Sequence, residues 1–221
     1  PTETPVKPTE VPANTATPSV SPSATPTVTP DAVKEGETVS ESGATATYKV
    51  ASAADKTVIY TGDSKASKKV TVKSTIKVGN DTYTVVAIAD NAFKKKSITA
   101  VTIPATVKSI GKSAFEGCTK LKTVTIKGTS LTTIGDKAFR GCKVLGKITV
   151  PKSVTKVGKQ AFENCAKLKT ITVKSKKTKF LKNAFKKVPK SSKIKLPKMT
   201  SKEKKSFKKM LKKAGFKGKV K

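Results

Sequence analysis

The chain has 221 residues, 47 of them basic and 14 acidic, giving a formal net charge of +33, and it contains no His and no Trp. Without His it lacks the commonest general base and the commonest zinc ligand, which excludes Ser-His or Cys-His nucleophilic catalysis and His-ligated metal sites. No apolar run in the sequence approaches the ~20 residues that a membrane-spanning helix needs.

Residues 1–36 open with "PTETPVKPTEVPANTATPSVSPSATPTVTP". A stretch so rich in Pro, Thr and Ser, with so little apolar mass, cannot offset its chain entropy by burial. It is expected to be a disordered, semi-stiff spacer of the kind that separates domains in secreted bacterial proteins. With Pro at position 1 no leader is visible, and any enzymatic domain is expected upstream of this spacer.

Residues 37–86 alternate apolar and polar positions in "TYKV", "KTVIYT", "KKVTV" and "IKVGNDTYTVV", with a turn signal at Gly79-Asn80-Asp81. This pattern predicts β-hairpins forming a β-rich N-terminal cap.

Residues 87–197 repeat. Ala-Phe pairs fall at 92–93, 114–115, 138–139, 161–162 and 184–185, spaced by 22, 24, 23 and 23 residues. Self-similarity at this period marks a solenoid. Aligned copies give apolar columns: Ile88, Ile110, Ile134, Val157 and Phe180; the five Phe residues; Leu121, Leu145 and Leu168. Each unit of about five reads as a short strand, a turn, a second extended piece ending at Ile-Gly, and a helical turn carrying Ala-Phe. The 24-residue spacing comes from "KGTS" at 127–130, where other copies have "PAT" or "PKS"; an insertion in a turn is tolerated. Residues 198–221 predict a helical C-terminal cap. Thr200 and Glu203 form a capping box, Phe207, Met210, Leu211 and Ala214 share one face, and Gly215 stops the helix.

The unit S/T-V-x-x-I-G-x-x-A-F-x-G/N-C-x-x-L-x-x-V/I-T-I/V, strongest over 85–197, resembles the BspA-like class of bacterial leucine-rich repeats. The resemblance implies an α/β solenoid with a parallel β-sheet on its concave face. It also implies a bacterial cell-surface or secreted location and a binding role.

Cys118, Cys142 and Cys165 share a column with Val188, which points to a small apolar filler rather than a metal or redox site. Glu116 and Glu163 also share a column, with Arg140 between them, and read as separated surface residues rather than a catalytic carboxylate pair. No catalytic residue, cofactor site or metal site is expected.

The candidate ligand face is the row of outward strand positions, Thr102, Thr123, Thr125, Lys127, Lys147, Thr149, Thr170, Thr172, Lys174, Lys193 and Lys195. It forms a Thr ladder edged by Lys. After residue 90 the chain has 38 basic and four acidic residues, an excess that attracts polyanions. Nucleic acid is disfavoured, since base reading favours Arg and stacking needs exposed aromatics. The expected partner is an extracellular protein or an anionic polysaccharide or cell-wall polymer, bound by a monomer. The readings open at this level are an adhesion module using the face, a wall-retention module using total charge, and an inert spacer.

Overall fold

A computed structural model describes residues 33–221. The spacer expected at 1–36 lies outside the described residues as far as residue 32. Antiparallel pairing opens the described chain: β1 (Thr38–Val39) with β2 (Ala46–Ser52), and β2 with β3 (Thr57–Asp63). A further antiparallel pair joins β5 (Thr75–Val78) to β6 (Asp81–Ile88).

The rest is a β-solenoid. One wall is a parallel run of β3, β6, β8 (Ser109–Ile110), β10 (Thr133–Ile134), β12 (Lys156–Val157) and β14 (Lys179–Phe180). Within the repeats the longer strands lie on the other wall, which carries β4 (Lys69–Thr71), β7 (Ala100–Ile103) and β9 (Thr123–Ile126), then β11 (Lys147–Val150), β13 (Thr170–Val173), β15 (Lys193–Lys195) and β16 (Lys219–Val220). Ile88, Ile110, Ile134, Val157 and Phe180 stand in register across the first wall, so the apolar column read from the repeat is a physical column.

The solenoid makes about seven turns rather than the five units expected. The two extra turns lack an Ala-Phe pair but pair their strands in the same sense. Before the first repeat, β3 lies parallel to β6 and β4 to β7; after the last, β16 lies parallel to β15. Tyr60 fills the ring position of the first turn, stacked on Phe93 at 5.0 Å. Phe216 meets Phe185 edge-on at 5.6 Å in the last.

The helical turns expected at Ala-Phe are also absent. Among the described residues the only helix is α1 (Ser201–Lys213). Each Ala-Phe corner is bracketed by residues in the left-handed region, such as Asn91 (φ 61°) and Lys95 (φ 59°), or Lys137 (φ 57°) and Gly141 (φ 72°). A helix cannot propagate through such residues, and for those with a Cβ the conformation costs roughly 1–2 kcal/mol. It aims their N–H groups at the next turn instead: Asn91 N–H donates to Lys112 O (2.9 Å) and Lys95 N–H to Glu116 O (2.7 Å). Between them Phe93 N–H donates to Ala114 O at 2.7 Å, and the bond recurs from Phe115, Phe139, Phe162 and Phe185, the last reaching Ala214.

The Ile-Gly step has a steric cause. A Cβ on Gly135 would lie 2.7 Å from the carbonyl carbon of Gly111, one turn away. The five repeat Phe residues are fully buried, and consecutive rings stack 4.9–5.7 Å apart. At the far end Thr200 Oγ1 accepts from Glu203 N–H (3.2 Å) while Glu203 Oε2 accepts from Thr200 N–H (2.7 Å). Phe207 and Leu211 of α1 are buried, and the Phe207 ring meets Phe180 edge-on at 6.1 Å.

Candidate binding surface

The strand alternation that buries Val101, Ile148 and Ile171 sets the intervening residues outward. Thr123, Thr125, Lys127, Lys147, Thr149, Lys174, Lys193 and Lys195 are exposed; Thr102, Thr170 and Thr172 are half-buried. Parallel register aligns them into rungs. Thr102 lies beside Thr125; Lys147, Thr170 and Lys193 form one row; Thr149, Thr172 and Lys195 form the next. Lys219 of β16 extends the first of these rows beyond Lys193.

These rungs do not form one continuous face. β9 and β11 belong to different sheets and are not hydrogen-bonded to each other. At other steps the strand starts are tied across turns, as in Lys122 N–H to Thr99 O (2.8 Å) and Lys169 N–H to Gly146 O (2.8 Å). Neither Gly146 nor Lys147 donates to Lys122 O in this way, and Pro151 has no N–H to give to Ile126 O. The seam falls directly after "KGTS", so the extra residue that a turn could absorb is accompanied by a lost ladder step. Val124 and Ile126 are therefore only half-buried, whereas Val101, Ile103, Ile148 and Val150 are at most 2% exposed.

Lys dominates the surface because the few acids are engaged elsewhere. Glu116 and Glu163 are joined rather than separated: Arg140 donates Nη1–H to Glu116 (3.0 Å), and its Nε lies 3.2 Å from Glu163. Lys94 and Lys186 extend this into a column of alternating charge, at 3.7 Å from Glu116 and 4.0 Å from Glu163. Burial pushes the Glu116 carboxyl up, but hydrogen bonds from Ser113 and Arg140 and the Lys94 and Arg140 charges hold it below its ordinary value. Asp136 accepts from Lys159 N–H (2.7 Å), and Glu203 pairs with Lys176 (3.1 Å). Among the described residues Lys127, Lys147, Lys174, Lys193 and Lys195 make no ion pair.

The three thiols are fully buried, and each donates to a Phe carbonyl of the preceding turn: Cys118 to Phe93 O (2.8 Å), Cys142 to Phe115 O (3.2 Å) and Cys165 to Phe139 O (3.2 Å). Burial pushes Cys118 and Cys165 up to about 12, and Cys142 further still, so the nucleophilic thiolate is suppressed. They act as more than apolar filler, since they also stitch neighbouring turns.

Sequence reasoning missed Lys122, Gly146, Lys167 and Lys169. With Lys147 they surround a depression of about 500 Å³ that spans the seam at the strand starts. The signal was present in the copies: Leu-Lys-Thr at 121–123 and 168–170 becomes Leu-Gly-Lys at 145–147.

Residues 86–212 match six copies of the family described as "BspA type Leucine rich repeat region". No curated protein matches the chain. Among solved structures, the chain is similar to a leucine-rich repeat protein from Bacteroides capillosus, with 30% identity and a TM-score of 0.55 over 62% of this chain and 97% of that one. It is similar to the T. pallidum leucine-rich repeat protein TpLRR, with 26% identity and a TM-score of 0.60 over 72% of each chain. It also resembles the pneumococcal vaccine antigen PcpA, with 28% identity and a TM-score of 0.59 over 74% of this chain and 47% of that one.

Proposed function

We propose, from the premise that this chain belongs to the BspA-type leucine-rich repeat family, that it is a secreted or cell-surface, non-catalytic binding module of a bacterium. Its Thr/Lys face holds an extracellular protein partner. The observation that carries this reading is the in-register array of Thr and Lys on the longer-strand wall, whose lysines have no acidic partner among the described residues. Rows of exposed and half-buried Thr flanked by uncompensated charge suit an acidic, extended surface. In this reading the β-rich segment 37–86 and the segment 198–221 with its helix close the two ends of the stack. The similarity to a vaccine antigen supports a surface location. No helix among the described residues is long and apolar enough to cross a membrane.

A second reading is favoured by the same lysines counted over the whole surface: retention on an anionic wall polymer. The two differ in where the charge must lie. Exposed charge contacts are screened within about 8–10 Å at physiological salt, so polymer retention should collapse between low and high salt, and a shape-dependent protein contact should weaken less. The experiment measures binding to purified wall polymer and to extracellular matrix proteins over a salt series, for the wild type and for Thr149→Arg/Thr172→Arg. Loss of matrix binding with polymer retention intact supports the face. Retention of matrix binding by the double variant overturns the face as the binding surface, and no binding to either ligand at any salt replaces both readings with an inert spacer.

A further inference from the structure

We infer that the seam between β9 and β11 is an oxyanion site: a sulfate or phosphate group of a partner enters the depression over Gly146, accepts the Lys147 N–H, and is surrounded by the ammonium groups of Lys122, Lys147, Lys167 and Lys169. The inference deepens the binding reading above and rests on it.

The donor is identified by register. Thr170 N–H points back to Gly146 O (3.3 Å), and Lys147 stands in register with Thr170. In-register residues of a parallel ladder turn their amides the same way. Lys147 therefore aims its N–H towards β9, with which β11 makes no ladder. A backbone donor at a sheet edge with no strand to receive it is a fixed partial positive charge. The space beside it is real: a Cβ at Gly146 would meet nothing within 4 Å, and the depression there measures about 500 Å³. The lysines come from three successive turns, so a group in the depression is contacted from both sides of the seam. The other steps along this wall close their ladders and offer no such donor. Val144 and Thr170 complete the lining of the depression.

The test titrates the full chain with two probes, a heparin-derived tetrasaccharide and a glycerol phosphate oligomer, which separate sulfated sugar from phosphate polymer as the source. Amide shifts are read by ¹⁵N NMR and affinities by calorimetry. The site predicts that at least one probe shifts Gly146 and Lys147 amides most. Lys122→Ala/Lys169→Ala should weaken that probe at least tenfold, while Lys108→Ala/Lys156→Ala, the same charge change on the other wall, weakens it less than threefold. Gly146→Leu, with its native NMR spectrum checked first, should weaken binding comparably by filling the depression. Equal losses from the two lysine pairs with shifts spread over the surface would overturn the site and leave diffuse polyanion binding standing. No binding of either probe overturns it as well, and leaves protein binding by the Thr/Lys face to its own test.

Discussion

The rings of Phe115 and Phe139 lie parallel with centroids 5.1 Å apart, although the strands that follow them, β9 and β11, are not joined by a ladder. The stack of rings and the short-strand wall run on through the point where the longer-strand wall is interrupted. Continuity at this step is therefore carried by the aromatic core, the β8–β10 pairing, corner bonds such as Phe115 N–H to Ala138 O at 2.7 Å, the Cys142 thiol on Phe115 O and the Arg140–Glu116 pair.

Phe139→Ala should accordingly destabilise the solenoid by about 3–5 kcal/mol, the range for emptying a buried Phe site. Removing this ring also takes away two stacked neighbours, Phe115 and Phe162. Urea denaturation checks it; a loss under about 1 kcal/mol would mean the stack carries little of the stability.

Tyr60→Phe should have the opposite sign. The Tyr60 hydroxyl is buried and has no hydrogen-bond partner among the described residues, while its ring is already stacked on Phe93. Deleting an unsatisfied buried hydroxyl without changing the ring should be neutral or stabilise by roughly 1 kcal/mol. A clear decrease in melting temperature would show that the hydroxyl is satisfied in solution.

The thiols should be inert while the chain is folded. With Cys118 and Cys165 pushed up to about 12, almost no thiolate exists at pH 8. Iodoacetamide labelling followed by mass spectrometry should show no modification of the native chain over a time that fully alkylates the chain in denaturant. Labelling of the native chain at the rate of a free cysteine would contradict the burial.

Arg140→Gln should cost about 1–3 kcal/mol by leaving the Glu163 carboxylate, whose side chain is only 8% exposed, without its closest cation. It should also change the acid response. The folded Glu116 carboxyl lies below its ordinary value. Its contribution is therefore present above the unfolded carboxylate range and is lost as pH falls through the folded value. In the variant the fall in melting temperature between pH 6 and pH 3 should be shallower than in the wild type. Parallel curves would show that Arg140 does not set the Glu116 proton affinity.

How far the sequence disclosed this architecture depends on what each residue had to reveal. The Phe column was legible because a buried ring at the same place in every turn leaves a period that composition cannot imitate. Tyr60 and Phe216 occupy the same stack but were not legible as members of it. Tyr60 is not preceded by Ala, and Gly215 separates Phe216 from Ala214, reading instead as a helix stop. The corners were misread as helical because Ala-Phe favours a helix locally, whereas the left-handed residues beside it are fixed by bonds to the neighbouring turn. Glu116, Arg140 and Glu163 looked separate because they are over 20 residues apart in sequence, yet one turn of a solenoid is a single strand spacing, within reach of a long side chain. On the candidate face the outward positions followed from alternation. The seam did not, because nothing in "KGTS" alone states that a strand pair fails beside it.

The seam has a consequence for how the molecule comes apart. A solenoid whose units touch only their neighbours behaves as a linear lattice, with stability shared between unit and interface terms. Where one interface gives up a whole ladder, the lattice has a weak link, and partial opening should stop there. Amide protons of β7 and β13, each flanked by paired strands, should exchange slowly and as members of two different cooperative blocks. Heating or force applied to the ends should then release the chain in two steps, divided between Ile126 and Lys147.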